Sequence, residues 1–385
     1  MTTMAIDNKD KKVLNVPHLR FPEFSGEWVT KSINDLAVVI GGGTPDTTVK
    51  SYWDGEIQWF TPSEIGKNKY VDSSLRTITE VGLNNSSAKL LPPNTILLSS
   101  RATIGECSLS LRECATNQGF QCLVSKKCNV DFLYYLIQTK KKDLIRKSCG
   151  STFLEISANE VRKIQVSVPS DVEQQKIAEL LSLIDERIAT QNKIIEDLKK
   201  LKSAIRKKMF SFLKDEYTES FEINQLLDYE QPTAYIVAND EYSTDTSLTP
   251  VLTANKGFIL GYTDEKFGIY QKGECIIFDD FTMDAKYVSF PFKVKSSAIK
   301  ILTAKPNVNL RFMFEYLSYW ELKSEGHKRH YISEIASLVI ELPSKERQSI
   351  IASLMTSLNS KLDIEAKTKI RYEEQKRYLL SQMFI

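Results

Sequence analysis

The sequence has little of what most enzymes and metal proteins need. Its 385 residues include six cysteines, without a CxxC pair, and only three histidines, whereas zinc sites usually take closely spaced ligands of these two types. We therefore expect free thiols in a reducing cytosol and no metal site. The motifs GxxxxGKS/T, GxGxxG, HExxH and GxSxG are also missing, which excludes an ordinary P-loop and the other enzyme classes that these motifs identify.

Hydrophobic runs are short, and the net charge is small. No apolar stretch approaches the roughly 20 residues that cross a bilayer. The polar start MTTMAIDNKDKK has no signal-peptide core, so we expect a soluble, cytoplasmic protein without a membrane partner. The Pro-Pro pair in LPPN (91–94) lacks the Asn/Asp-Pro-Pro-aromatic loop of an amino-methyltransferase. The net charge is only +2, so binding to nucleic acid would depend on local basic patches.

One long segment occurs twice in the chain. Residues 169–210 align without a gap on residues 343–384, at a constant offset of 174, and ten of the 42 aligned pairs are identical. The period is longer than that of solenoid repeats, so it indicates a duplication with two copies.

The repeated segment is predicted to be a long helix. Ser170 and Glu173 have the spacing of a capping box, in which Glu173 would reach back to the Ser170 amide. A helix from about 171 to 210 would be about 55–60 Å long. The second copy starts similarly at Ser344, although Arg347 replaces the glutamate. In the first copy, apolar residues at three-to-four spacing form one stripe: Ile177, Leu180, Leu181, Ile184, Ile188, Ile195, Leu198, Leu201 and Ile205.

A helix of this length with one apolar stripe needs a packing partner. Each helix could pack on its own neighbouring domain, but we favour the two helices packing on each other, antiparallel, because the second must run back toward the first domain. Gln191 aligns with Glu365 near the middle of each copy. We interpret this polar pair as a device that fixes the register of a coiled-coil spacer.

The segments between the helices also resemble each other. NTILLSS (94–100) and ECIIFDD (274–280) have strand-like patterns, and DFLYYLIQ (131–138) and RFMFEYLS (311–318) look like amphipathic helices. We predict two similar α+β domains, 1–168 and 213–342, separated by two long antiparallel helices, 169–212 and 343–385, with pseudo-twofold symmetry.

Basic clusters follow the amphipathic helix in both domains. The first contains Lys140 to Lys142, Arg146 and Lys147, and the second contains Lys323 and 327–330. Each alone could be a solvated helix face, but their recurrence favours two phosphate-contacting surfaces.

Several motifs together resemble the specificity subunit of type I restriction-modification systems. They are VPHLRFPEFSGEW (16–28), GGTPDTTVKSYWDGEIQWF (42–60), SSRATIG (99–105) and VPSDVEQQKIAELL (168–181). The second helix departs from the pattern, reading LPSKERQSIIASL, and Phe281 stands where the first domain has Arg101.

The resemblance implies that the globular domains are target recognition domains. They would read an asymmetric, bipartite site on double-stranded DNA for a complex with two methyltransferase (M) subunits and additional restriction/translocase (R) subunits. S-adenosylmethionine, ATP and Mg would belong to those partners, with no cofactor and no catalytic residue on this chain. Alternatives are a two-headed scaffold that binds proteins rather than DNA, and an enzyme with unfamiliar residues.

Base and phosphate contacts call for basic or hydrogen-bonding side chains on exposed loops. The predicted DNA-binding residues are, in the first domain, Thr44, Tyr52, Arg101, Thr103, Lys141, Arg146, Lys147, Ser151 and Thr152, and in the second, Lys256, Lys286, Lys323, Lys328, Arg329 and His330.

Overall fold

The computed structural model describes residues 14–150, 154–213, 218–253, 257–320 and 331–385, without the side chains of residues 332 and 333. The chain divides into two compact units. The first comprises Met1–Lys193 with Lys367–Ile385, and the second comprises Ile194–Ala366. Each long helix therefore contributes one half to each unit.

In its described residues the first unit contains three small sheets. Their strand orders are β2-β9-β6-β7-β4, β5-β3-β8 and the antiparallel pair β1-β10. The strands are β1 (Val29–Ser32), β2 (Ala37–Gly41), β3 (Trp53–Phe60), β4 (Tyr70–Val71), β5 (Arg76–Ile78), β6 (Ile96–Leu98), β7 (Cys107–Ser110), β8 (Cys114–Thr116), β9 (Gln121–Ser125) and β10 (Gln165–Val168).

Short helices accompany these sheets in the part of the unit that the structure describes. They are α1 (Ile33–Leu36), α2 (Glu80–Asn84), α3 (Val130–Thr139), α4 (Lys141–Arg146) and α5 (Ala158–Lys163). The aromatic helix α3 starts at Asn129, whose side chain accepts the Phe132 amide at 2.9 Å, and six of its ten residues are buried. It packs in the main core of the unit with Trp28, Ile177 and Phe384.

The second unit repeats this arrangement, but its largest described sheet has four strands where that of the first unit has five. Its sheets have the orders β12-β18-β15-β16, β14-β13-β17 and the antiparallel pair β11-β19. Its elements are β11 (Glu219–Glu222), α7 (Ile223–Leu226), β12 (Leu227–Glu230), β13 (Thr249–Leu252), β14 (Ile259–Thr263), β15 (Cys275–Asp279), β16 (Ala285–Val288), β17 (Lys293–Val294), β18 (Ile299–Ala304), α8 (Leu310–Tyr319) and β19 (Val339–Leu342). The predicted correspondences are confirmed for β6 with β15 and for α3 with α8.

The repeated segments form helices α6 (Asp171–Phe212) and α9 (Lys345–Met383). They are antiparallel within each unit. In the first, Asp185 binds Lys376 at 2.7 Å and Arg187 lies over Tyr372; in the second, Lys202 donates to Asn359 at 2.6 Å, and Phe210, nearer the end of α6, shares a core with Ile351 near the start of α9. The predicted helices and their direction are confirmed.

Two details of the helix prediction are wrong. The Ser170 side chain does accept the Glu173 amide, at 3.4 Å, but the Glu173 carboxylate does not complete the capping box; it binds Arg20 and Trp28 instead. Leu201, assigned to the apolar stripe, is 50% exposed. The pattern is regular there, but the neighbouring side chains do not cover that turn.

Candidate nucleic-acid interface

The Gly-rich segment 41–48 is a rigid loop built on two tryptophans. The Trp59 indole donates to the Gly43 carbonyl at 2.9 Å, and the Trp53 indole donates to the Asp46 carbonyl at 3.0 Å. A Cβ at Gly43 would lie 2.3 Å from the backbone nitrogen of Ala88, so the close approach of two chain segments requires glycine there.

Thr44 lies in this loop and Tyr52 follows it in the chain. The Thr44 hydroxyl donates to the Gln118 side chain at 2.5 Å, and Gln118 is exposed. Tyr52 is half-buried against the hydrophobic cluster that contains Trp53 and Trp59. The loop and its neighbouring polar groups thus form one surface of the first domain, which rests on the buried Trp53 and Trp59.

Arg101 and Thr103 occupy a strained turn at a second place on this domain. Ala102 between them has a positive φ of 54°. The Arg101 guanidinium pairs with Glu155 at 2.8 Å, and the Thr103 hydroxyl donates to Ser99 at 3.1 Å. Because Arg101 is 43% exposed, a phosphate could replace its carboxylate partner.

The basic cluster after α3 is largely neutralised. Lys141 pairs with Glu106, Arg146 with Asp143 at 2.7 Å, and Lys147 approaches Glu160 at 3.9 Å. Because exposed ion pairs contribute little to stability, exchanging these carboxylates for phosphates would cost little free energy. The carboxylates nevertheless give the surface a mixed charge that the sequence pattern did not reveal.

Among the predicted residues of the second domain, the structure describes Lys286, which is half-buried on β16 opposite Ile277. The other predicted contacts lie outside the described residues: Ser151 and Thr152 of the first domain and Lys256, Lys323, Lys328, Arg329 and His330 of the second. The DNA-contacting role of the whole set stays a prediction.

The two residues assigned to helix register have different surroundings. Gln191 is buried, with 6% of its surface exposed. Glu365 is half-buried and pairs with Lys361 one turn earlier on the same helix. Their joint role in fixing register stays a prediction.

In the described part of the chain we find no cluster of metal ligands, and the buried thiols are unreactive. No group of three or more His, Cys, Asp or Glu side chains there could hold a metal ion. Burial raises the pKa of Cys107, Cys114, Cys122 and Cys275 to about 12, so these thiols are protonated at neutral pH. None of the helices in the described ranges combines the length and hydrophobicity that a bilayer crossing requires.

The family of this duplicated chain is shown by comparison with a family model. The model for the type I restriction modification DNA specificity domain matches the chain twice, over residues 25–200 and 215–374. The chain belongs to this specificity family. Each match contains one α+β domain and most of the long helix that follows it.

Named relatives agree with the family assignment. The MjaIX type I restriction enzyme specificity subunit of Methanocaldococcus jannaschii is 38% identical over 216 residues, which is 55% of this chain and 50% of that protein. The EcoR124I/EcoR124II specificity subunit of Escherichia coli is 39% identical over 178 residues, which is 41% of this chain and 43% of that protein. The alignments thus span about half the length of these two relatives.

A solved structure shows the same fold. The S subunit of a type I restriction-modification system from M. genitalium superposes with a TM-score of 0.64 at 16% identity, covering 96% of this chain and 99% of that one. At this identity the likeness concerns the fold alone. With the family match, it confirms the predicted class of two α+β domains and two long helices.

In this specificity family member, the VPHLRFPEFSGEW motif (16–28) contacts the start of the first long helix. Glu173 is 1% exposed and binds the Arg20 guanidinium through both oxygens at 2.7 Å, and the Trp28 indole donates to it at 3.3 Å. The motif around Arg20 and Trp28 is therefore tied to the start of α6. Sequence spacing alone gave no signal for this contact, because its partners are 153 residues apart.

Gln174 and Gln348 attach the aromatic helices to the long helices. The Gln174 side chain accepts the Asn129 amide at 3.0 Å, and Gln348 accepts the Asn309 amide at 2.9 Å. Asn129 and Asn309 cap α3 and α8. The identity of the glutamines at the 174-residue offset is the signal that could have identified this contact.

Proposed function

We propose that this chain reads an asymmetric, bipartite site on double-stranded DNA, one half with each α+β domain, and directs adenine methylation by partner subunits. The observation that carries the proposal is the double match to a DNA specificity domain, once over each α+β domain and the helix after it. Two α+β domains that share a fold but differ in surface residues are suited to two unlike half-sites.

The difference between the heads is visible at aligned positions. The first domain has Arg101 in a turn after β6, whereas the second has Phe281 after β15. The Gly-rich loop on Trp53 and Trp59 belongs to the first domain. Since base recognition depends on the side chains at such loops, the two domains should select different bases.

We assign the reaction to partners: two methyltransferase subunits, joined by restriction/translocase subunits in the larger complex. S-adenosylmethionine, ATP and Mg would bind those subunits, and this chain would supply DNA recognition without a catalytic residue. The relatives' names as specificity subunits support this division of labour.

A two-headed scaffold that binds proteins is the second candidate. The observation in its favour is the mixed charge of the first domain, where Arg101, Lys141 and Arg146 all pair with carboxylates. Protein surfaces commonly carry such pairs, whereas DNA binding requires that phosphates replace the carboxylates.

The deciding experiment is selection of random duplex DNA by the purified chain assembled with the methyltransferase subunit encoded in the same genome. We expect enrichment of one sequence with two specified parts and an unspecified gap, and weaker binding as salt rises. Equal recovery of all sequences, with the assembly intact, would contradict DNA reading and favour the scaffold. The methyltransferase without this chain is the control for its own DNA binding.

A further inference from the structure

A short turn in the first domain, residues 74–76, leads into β5, of which Arg76 is the first residue, and is held in place from both sides. The Ser74 amide donates to the Gln58 side chain at 2.7 Å, and the Leu75 amide donates to the Glu64 carboxylate at 2.6 Å. The Ser74 hydroxyl donates to the Arg76 carbonyl at 2.6 Å. Nevertheless, the Leu75 side chain is 87% exposed. The 74–76 turn therefore presents an aliphatic side chain to solvent on a fixed backbone.

Arg76, next in the chain, is immobilised by an aromatic surface. Its guanidinium carbon lies 3.6 Å from the centre of the Trp53 ring and 6.0 Å from that of Trp59. The two indoles meet edge to face at 5.1 Å. A guanidinium stacked on an aromatic face keeps its N–H donors free at the edges of its plane. Arg76 is exposed, so those edges can reach a ligand.

The other arginines of residues 14–150 are engaged differently. Arg20, Arg101, Arg112 and Arg146 each pair with a carboxylate at 2.7–2.8 Å. Arg76 forms no ion pair with any residue that the structure describes. It is thus a cation that is oriented by packing and whose hydrogen-bonding edge is not used by a carboxylate.

The same tryptophans hold the Gly-rich loop. Trp53 donates to the Asp46 carbonyl through its indole edge while Arg76 covers its face, and Trp59 donates to Gly43. Arg76 and the loop that carries Thr44 therefore lie against one indole platform. This brings together two segments that are 32 residues apart in sequence.

We infer that Arg76 is a specificity-determining residue of the first domain, reading a guanine from the major groove, with Leu75 packing beside it against a neighbouring base edge. The inference rests on the proposed function. Arginine suits this role because its fork matches the O6 and N7 acceptors of guanine, and stacking on Trp53 removes part of the entropy cost of fixing the side chain.

The test compares Arg76→Gln and Arg76→Lys with the wild type in the complete assembly with its methyltransferase, on the duplex selected by the wild type. We expect Arg76→Gln to lose about 5- to 150-fold in affinity and to stop discriminating guanine at one position of one half-site. Arg76→Lys should keep the salt dependence but lose most of that discrimination, because an ammonium cannot bind two acceptors in a fork. Readout at the other half-site should not change.

Arg112→Gln is the matched control, since Arg112 is exposed in the same domain and paired with Asp72; it should bind like the wild type. Unchanged melting of Arg76→Gln would show that the fold is intact. A uniform loss of affinity with every base preference retained would overturn the inference and identify a phosphate contact. If Arg76→Gln melts early, Leu75→Ala serves instead, and unchanged base preferences in it would also count against the turn. Failure of the wild-type assembly to select any sequence would reject the proposed function itself.

Discussion

Gln348 makes the same two hydrogen bonds in the second unit that Gln174 makes in the first. Gln174 accepts from the Asn129 amide and donates to the Pro169 carbonyl, at 3.0 and 3.1 Å; Gln348 accepts from Asn309 and donates to Pro343, both at 2.9 Å. Both side chains are at least 96% buried. Each duplicated helix thus uses the same glutamine joint, a buried side chain that binds the first residues of the aromatic helix in its own domain.

Replacing either glutamine by leucine should destabilise the protein. The substitution leaves a buried proline carbonyl without its partner, which costs about 1–3 kcal/mol, and it also removes the partner of the half-buried Asn129 or Asn309 amide. Urea unfolding of the purified chain measures this loss. The control is Gln175→Leu, because Gln175 is exposed and binds Glu179 on the same helix. Equal stabilities for the Gln174 and Gln175 variants would contradict the joint.

The aligned polar clusters of the two units place their negative charge differently. In the first, Asp185 on α6 accepts from Tyr135 and from Lys376, both at 2.7 Å. In the second, Asn359 aligns with Asp185, and the acid is Glu315 on α8, which binds Arg206 at 2.6 Å. Both units thus keep an acid that pairs with a lysine at the aligned positions 376 and 202, although the acid of the second unit lies on another element.

Glu315→Gln should therefore destabilise the second unit strongly. Glu315 is fully buried, whereas Arg206 and Lys202 are less than one-fifth exposed. Removing one partner of a buried pair typically costs about 3–5 kcal/mol. Chemical denaturation followed by tryptophan fluorescence and circular dichroism would show it. Glu196→Gln, on the exposed side of α6 in the same unit, should change stability by no more than about 0.5 kcal/mol; a similar small effect at Glu315 would refute the argument.

Acid sensitivity should depend in part on Glu265. Hydrogen bonding from Lys293, at 2.8 Å, and from two backbone amides holds the pKa of Glu265 below its ordinary value of 4.5. A carboxyl whose pKa is lower when folded stabilises the fold above that ordinary value, and it loses this contribution as the pH falls from there through the lower pKa of the folded state.

Glu265→Gln should then be less stable than the wild type at pH 7 and lose less stability below pH 4.5. Denaturation midpoints of the wild type and of Glu265→Gln, measured at pH 7 and below pH 4.5, give the change of stability with pH for each protein. Asp264→Asn, at the exposed neighbouring position, should keep the wild-type slope. If the slope of Glu265→Gln equals that of the wild type, the ion pair with Lys293 does not contribute to acid stability.

The parts of the fold that depend on local sequence were predictable. Pro169, the Ser170 cap and the period of apolar residues predicted a helix from about 171 to 210, and α6 spans Asp171–Phe212. The repeated aromatic segments likewise predicted α3 and α8. These signals act within a few turns of chain, where spacing and capping determine conformation.

The candidate site was less predictable because its charges are paired by the tertiary fold. Glu155 neutralises Arg101 and Glu106 neutralises Lys141, although nothing in either local sequence indicates the partner. Local spacing predicts a capping box for Glu173, but a bidentate arginine and an indole bind the same carboxylate instead. Nothing in the local sequence marks Arg76, because its significance comes from stacking on Trp53.

The central claim is that this chain chooses the DNA sequence that partner subunits methylate. Long-read mapping of methylated adenines in cells with the gene, without it, and with it restored tests this most directly. We predict one asymmetric, two-part motif that is methylated with the gene, lost without it and regained on restoration. Methylation of the same motif in cells that lack the gene would contradict the account.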